Sequence, residues 1–304
     1  MDIRSVTLFC EPGYPTKKMA RFFTAVRPAF PYPVQSTRLA LPPFPDWWPA
    51  TLGGEENIAE QAENLASSWQ NAGADYISLG PVLLRHKAQW LELIPAILAA
   101  TEVLFATVEI ANAQGHIDLA RCRKTATLIQ TVSQIMPNGV GNLFLAALAN
   151  CSPGSPFFPV AYHRGGLPHF AVAVEAADIA LDAIQNATSL EEARQNLVTG
   201  IETAAARISA AAYEVSEAED IHFTGIDFSL APFPTDNKSL GGALEQLGLP
   251  YLGSAGSLFA AGFVTEAIAR AQFPRCGFSG LMLPVLEDSV LARRAAEGVL
   301  SVPE

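Results

Sequence analysis

The run H-F-T-G-I-D-F-S-L-A-P-F-P, from His222 to Pro234, decides how the rest of the chain is read. Its first half is a β-rich apolar string, and Gly225 within it marks a close backbone approach. Pro232 and Pro234 have no ladder donor, so the predicted strand ends at Leu230 or Ala231. That ending places Asp227 and Ser229 in the last turn of a strand, where α/β proteins collect their chemistry. An echo lies upstream: Gly73–Pro81 reads G-A-D-Y-I-S-L-G-P, against G-I-D-F-S-L-A-P at Gly225–Pro232. The echo predicts two related halves, about 1–150 and 151–304, each sending an Asp to a strand end.

Nineteen basic residues stand against thirty acidic ones in the 304-residue chain, a net charge of −11. The non-specific attraction that nucleic acids and anionic membranes depend on is thereby repulsive, which excludes both as partners. Cys10, Cys122, Cys151 and Cys276 are scattered, without zinc or C-x-x-C spacing, as reduced thiols of a cytoplasmic protein would be. The sequence opens directly on a strand, Ile3–Phe9, with no secretion signal. It also lacks an apolar run of about eighteen residues, so its hydrophobic half forms core rather than a membrane span.

Strand and helix signals alternate outward from the central run. Strands are predicted at Ile3–Phe9, Gln35–Leu39, Asp75–Leu79, Val103–Ile110, Asn142–Ala149, Phe170–Val174 and Leu281–Val285. Helices are predicted at Lys17–Val26 (stopped by Pro28), Glu55–Gln70, Lys87–Ala99, Ile117–Ile135, Ala176–Gln185 and Leu240–Leu247. Ser189-Leu190-Glu191-Glu192 is a capping box that opens a long helix. Pro28–Pro49, rich in proline and carrying Trp47 and Trp48, reads as a packed surface loop, with a lid over a site as the alternative. No charge occurs from Thr125 to Tyr162, so this stretch should run beside the core. The whole is one α/β domain over 1–304, with no internal boundary.

The D-F-S-L-A-P-F-P run resembles the D-L-S-L-A-P-T-P signature of the domain of unknown function 711 family. F-F-P-V-A-Y-H at Phe157–His163, A-V-A-V-E at Ala171–Glu175 and G-F-S-G-L-M-L-P-V-L-E-D at Gly277–Asp288 are similar to that family in the same order. The resemblance implies a ten-stranded α/β barrel of two five-stranded halves, as in pyruvate formate-lyase and other glycyl radical enzymes. Relatives continue beyond the position of Glu304, so the barrel is expected to be truncated at its C-terminal side or closed by a partner subunit, and the chain to form a homodimer. No glycyl-radical loop and no nucleotide-binding motif occurs. Fold alone does not carry radical chemistry.

His163, Asp227, Ser229 and Glu287 are the expected catalytic residues, with Asp288 beside them at a predicted strand end. Carboxylates with a histidine can act as acid and base, or hold a divalent cation through Asp227, Glu287 and Asp288. Gly253-Ser254-Ala255-Gly256-Ser257 precedes a helix, and Gly253, Ser254, Gly256 and Ser257 would offer amides and hydroxyls to an anionic substrate. Each residue also has a structural reading. His163 can be a hydrogen-bonded loop histidine, Asp288 a helix cap, Glu175 a partner of a helix N-terminus, and Asp227 an acceptor of backbone amides. Cys151, at a predicted strand end, is the best-placed thiol, although a buried cysteine is more often inert packing. The expected function is a small-molecule enzyme using acid/base or metal-assisted chemistry; the alternative is a non-catalytic ligand-binding or assembly protein.

Overall fold

In the computed structural model, which describes residues 1–48 and 57–301, seven strands form a single open sheet. The chain runs β1 (Asp2–Phe9), α1 (Thr16–Ala29), β2 (Thr37–Ala40), α2 (Ile58–Asn71), β3 (Tyr76–Val82), α3 (Ile94–Ala100), β4 (Leu104–Ala111), α4 (Leu119–Val132) and β5 (Leu145–Ala149). It continues through β6 (His169–Glu175), α5 (Ala177–Gln185), α6 (Leu190–Glu219), β7 (His222–Asp227), α7 (Leu240–Glu245), α8 (Ser257–Arg270) and α9 (Ser289–Ala296). The order across the sheet is β5-β4-β3-β2-β1-β6-β7. β1 to β5 are parallel to one another, β6 and β7 are parallel to each other, and the two blocks meet antiparallel between β1 and β6.

Strand alternation divides the sheet into two unlike faces. Ile3, Val6 and Leu8 of β1, with Leu39, Ile77, Leu104, Phe170, Val172 and Ile226, point toward the helices and form one continuous buried core. The opposite face carries cross-strand rows set by the register. One row is His222–His169–Phe9–Ala40–Ser78, and the next is Ala171–Thr7–Arg38–Tyr76. Only a small apolar cluster forms there, Phe9, Ala40, Ala161 and Ala171 with Phe158 and Cys276 against it. The irregular segment after β5 supplies Phe158 and Ala161, so the charge-free stretch does cross a sheet face.

Several elements depart from the expected pattern. α1 runs through Pro28, which sits in the last turn and costs the helix one hydrogen bond only. The expected start of α2 at Glu55 lies outside the described residues. Lys87–Ala99 divides into a 3-10 turn at Ala88–Leu93 and α3. Leu281–Val285 is no strand. β7 stops at Asp227, and the backbone leaves the sheet before the prolines rather than at them. α6 packs on α5 so closely that a Cβ at Gly200 would press on the Ile179 side chain, which explains a glycine inside a long helix.

Where ten strands in a barrel were expected, the described residues make seven strands whose sheet is not closed. The echoed sequences fall at different strand positions in the two blocks. Asp75–Leu79 enters the third strand of the first block, and Ile226–Leu230 leaves the second strand of the other.

Candidate functional site

Asp227 comes off the end of β7 and meets the loop at Gly277–Gly280, so two of the sequence's most distinctive runs lock together. The Phe278 amide donates to its Oδ2 at 2.9 Å, and the Ser279 amide to its Oδ1 at 2.9 Å. Ser229 Oγ donates to Oδ1 at 2.5 Å and accepts from the Gly280 amide at 3.3 Å. Gly277 has φ +60 and faces the carboxylate so closely that a Cβ would collide with it. Ser279 closes the clasp by accepting from the Phe228 amide at 3.1 Å. Asp227 is thus buried with its carboxylate held by three donors, and it lines neither of the clefts described below.

Asp288 is likewise a cap. Its Oδ1 accepts from the amides of Val290 and Leu291 at 3.0 and 3.1 Å and from Ser239 Oγ at 2.6 Å. Its Oδ2 accepts from the Gly241 amide at 3.0 Å, so one buried carboxylate serves the N-termini of both α9 and α7. Glu287, by contrast, is half-exposed and pairs with Arg4 at 3.3 Å. Glu175 is buried and takes Lys238 at 3.2 Å and Gln35 at 3.1 Å. Among the described residues no three of His, Cys, Asp and Glu gather as metal ligands, so Asp227, Glu287 and Asp288 do not form the expected cation site.

The turn at Gly253–Ser257 is closed on itself. The Gly253 amide donates to Ser257 Oγ at 3.0 Å, and the hydroxyls of Ser254 and Ser257 donate to the carbonyls of Tyr251 and Ser254. Gly253 presses against the backbone of Val299, and Gly256 supplies the left-handed residue before α8. These groups complete a helix start and open onto none of the clefts described below.

His163 is fully buried, and neither ring nitrogen has a hydrogen-bond partner among the described residues. Its ring lies 5.1 Å from that of His169. His169 in turn stacks on Phe9, with centroids 4.8 Å apart and planes 7° apart. Burial holds both imidazoles below the usual histidine pKa, and pushes His169 down to about 4. His222 is His169's cross-strand neighbour on β7. Of the expected His163, Asp227, Ser229 and Glu287, the second and third are hydrogen-bonded to each other, and Glu287 pairs with Arg4. His163 lies instead in a run of three histidines, to which neither Asp227 nor Glu287 is hydrogen-bonded.

A cleft of about 610 Å³ opens beside these rings, lined by Cys151, Arg164, His169, His222, Thr224 and the loop at Cys276–Phe278. Burial raises the thiol pKa of Cys151, and also that of Cys276, where Asp227 adds to it. Both sulfurs are thus protonated at neutral pH and are poor nucleophiles. A second cleft, of about 320 Å³, lies at the other end of the same face, between Arg4, Arg38, Tyr76, Glu175, Phe233 and Glu287. His169, Arg38 and Arg164 were missed as site residues. A signal for the first existed: H-F-A-V-A-V-E alternates strictly, and His169 falls on the side opposite Phe170, Val172 and Val174.

An open, mostly parallel sheet, clad by helices on one face and polar on the other, makes this an α/β protein with two clefts on its helix-free side. The chain belongs to the family described as Uncharacterised ACR (DUF711), which it matches over residues 14–304. It is 29% identical over 265 residues to a UPF0210 protein of Pyrobaculum islandicum, covering 82% of this chain and 58% of that protein. A UPF0210 protein of Pyrobaculum aerophilum is 32% identical over 222 residues, 70% of this chain and 48% of the relative. One from Syntrophotalea carbinolica is 27% identical over 268 residues, 82% and 58% respectively. The chain thus spans about half the length of these curated relatives. Among the described residues no helix is long and apolar enough to cross a membrane.

Proposed function

We propose that the protein is an enzyme acting on a small anionic metabolite in the cleft beside His169, with that imidazole as its acid/base group. The observation that carries this reading is His169 itself, a partly buried ring fixed by stacking on Phe9 at 4.8 Å and lining a cleft that also holds Arg164 and His222. A neutral imidazole both donates and accepts, and an anion bound next to it raises its pKa toward the range where proton transfer is efficient. Arg164 supplies the positive complement for such an anion. Binding should therefore draw a proton from solution.

The test is a thermal-shift screen of small carboxylates and phosphates, run on the natural protein and on His169→Gln. At least one compound should stabilise the former and fail to stabilise the latter. Calorimetry of that compound in two buffers of different ionisation enthalpy should show proton uptake. No stabilisation by any compound, or equal stabilisation of both proteins, would sink the reading. A second reading, a ligand-binding protein without catalysis, draws on the protonated thiols, which leave the cleft without an activated nucleophile. Product formation followed by mass spectrometry separates the two.

We further infer that the sheet is part of a ten-stranded barrel. Three features support this: five parallel strands in the first block, a second block beginning antiparallel beside β1, and a bridge from Ile226 to Arg275 that starts a further pairing beyond β7. A crystal structure of a full-length relative should show the second block extended and joined to the edge that β5 occupies here. A relative with an open seven-stranded sheet would refute it.

A further inference from the structure

Arg38 is placed as a receptor without its ligand. It stands on the helix-free face in the row Ala171–Thr7–Arg38–Tyr76 and lines the cleft of about 320 Å³. Its guanidinium carbon sits 4.9 Å from the ring centroid of Phe158 and 5.7 Å from that of Tyr76. Nε donates to Ser36 Oγ at 2.9 Å, but among the described residues no carboxylate pairs with this side chain. Neighbouring cations are all committed: Arg4 to Glu287 at 3.3 Å, and Lys238 to Asp2 and Glu175 at 2.6 and 3.2 Å. An arginine packed against aromatic rings at the wall of a cleft presents a preorganised fork for a planar anion.

We propose that the Arg38 cleft binds the carboxylate of a small monocarboxylic acid whose apolar body lies against Pro232, Phe233 and Pro234. The cleft walls decide between anions. Glu175 and Glu287 share the pocket, so a phosphate dianion meets two carboxylates, whereas a single carboxylate adds one charge opposite Arg38. Proline and phenylalanine walls reward an apolar body by burial. Burial and the nearby Arg4 push the Arg38 pKa down to about 9, which still leaves it charged at neutral pH, with no ion-pair partner among the described residues. The two clefts share no lining residue, so benzoate binding at Arg38 is tested apart from the chemistry proposed at His169.

Calorimetric titration of the full chain with benzoate tests the proposal, with benzamide, L-phenylalanine and inorganic phosphate as separate arms. Benzoate should bind one to one, benzamide should not bind, and phosphate should bind more weakly than benzoate. Binding of L-phenylalanine as tight as benzoate would identify the source of the carboxylate as a zwitterion with its ammonium near Glu287. Arg38→Met should weaken benzoate binding at least tenfold, and Arg38→Lys by roughly threefold to tenfold, because a lysine keeps the charge but loses the fork. If Arg38→Met does not fold, Arg38→Lys carries the comparison. Benzoate that fails to bind at roughly 10 mM, binds equally to Arg38→Lys, or is outcompeted by phosphate would overturn the proposal.

Discussion

The two faces of the sheet share one backbone but follow opposite rules. Toward the helices, Phe170, Leu39, Ile77 and Ile226 interlock in a continuous apolar layer, as a stable fold requires. On the other side lie buried Ser5, Thr7 and Thr107 of the same strands, and His163 of the segment over them, with polar atoms that have no hydrogen-bond partner among the described residues. A buried polar atom without a partner costs about 1–3 kcal/mol, so one face stabilises the molecule and the other draws on that stability. Folded proteins keep such costly groups where a ligand, water or another surface completes them, and both clefts lie on the costly face.

Four measurements break or sharpen that contrast. Phe170→Ala opens a cavity in the helix-side core and should lower stability by about 3–5 kcal/mol, read as a shift in urea midpoint. A loss below about 1 kcal/mol would show that this layer is not the source of stability. Asp227→Asn comes next. It turns an amide NH2 toward the Phe278 and Ser279 amides and should cost about 2–3 kcal/mol, although the residue lies on the polar face. An unchanged midpoint would return Asp227 to the list of functional acids.

Titration gives the third. His169 is neutral in the fold, with its pKa at about 4, but takes up a proton near 6.5 once unfolded. The unfolded chain therefore binds more protons between those values, and stability should be full above pH 6.5 and decline as pH falls toward 4. His163, also depressed, acts with the same sign. After allowance for partial solvent screening the His169 share is about 1 kcal/mol, and His169→Gln should flatten the acid limb by that amount. The smallest effect belongs to Thr107→Val. Removing a hydroxyl that has no partner among the described residues should leave the midpoint unchanged or raise stability by up to ~1 kcal/mol. A clear loss would mean that the hydroxyl is satisfied after all.

Local signals in the sequence were legible where they rest on local chemistry. Ser189 does cap α6 through the Glu192 amide, and Glu192 reaches back, but to Thr188 rather than to Ser189 itself. The alternation of β6 and the helical spacing of α6 also hold, because each follows from burial of one side of one element. What the sequence hid is set by distant partners. Asp227 reads as an isolated acid in an apolar run, and only the loop at Gly277–Gly280, far along the chain, turns it into an acceptor. Asp288 was readable as a cap of α9, yet its service to α7 through Gly241 required the tertiary fold. Arg38 was passed over because a lone arginine in a short strand looks like a surface residue until Phe158 is folded over it.

The antiparallel seam between β1 and β6 has a consequence for the order in which the protein is built. β1 finds β2 soon after it in the chain, but its other edge must wait for a strand that begins at His169. During that interval an apolar edge, Val6 to Cys10, is open to any other extended chain. The charged residues Asp2 and Arg4, and the register shift between Ile3 and Ser5, blunt one end of that edge only. Chains released before β6 should therefore be the ones that aggregate, and folding of the whole should be paced by this long-range pairing rather than by the helices.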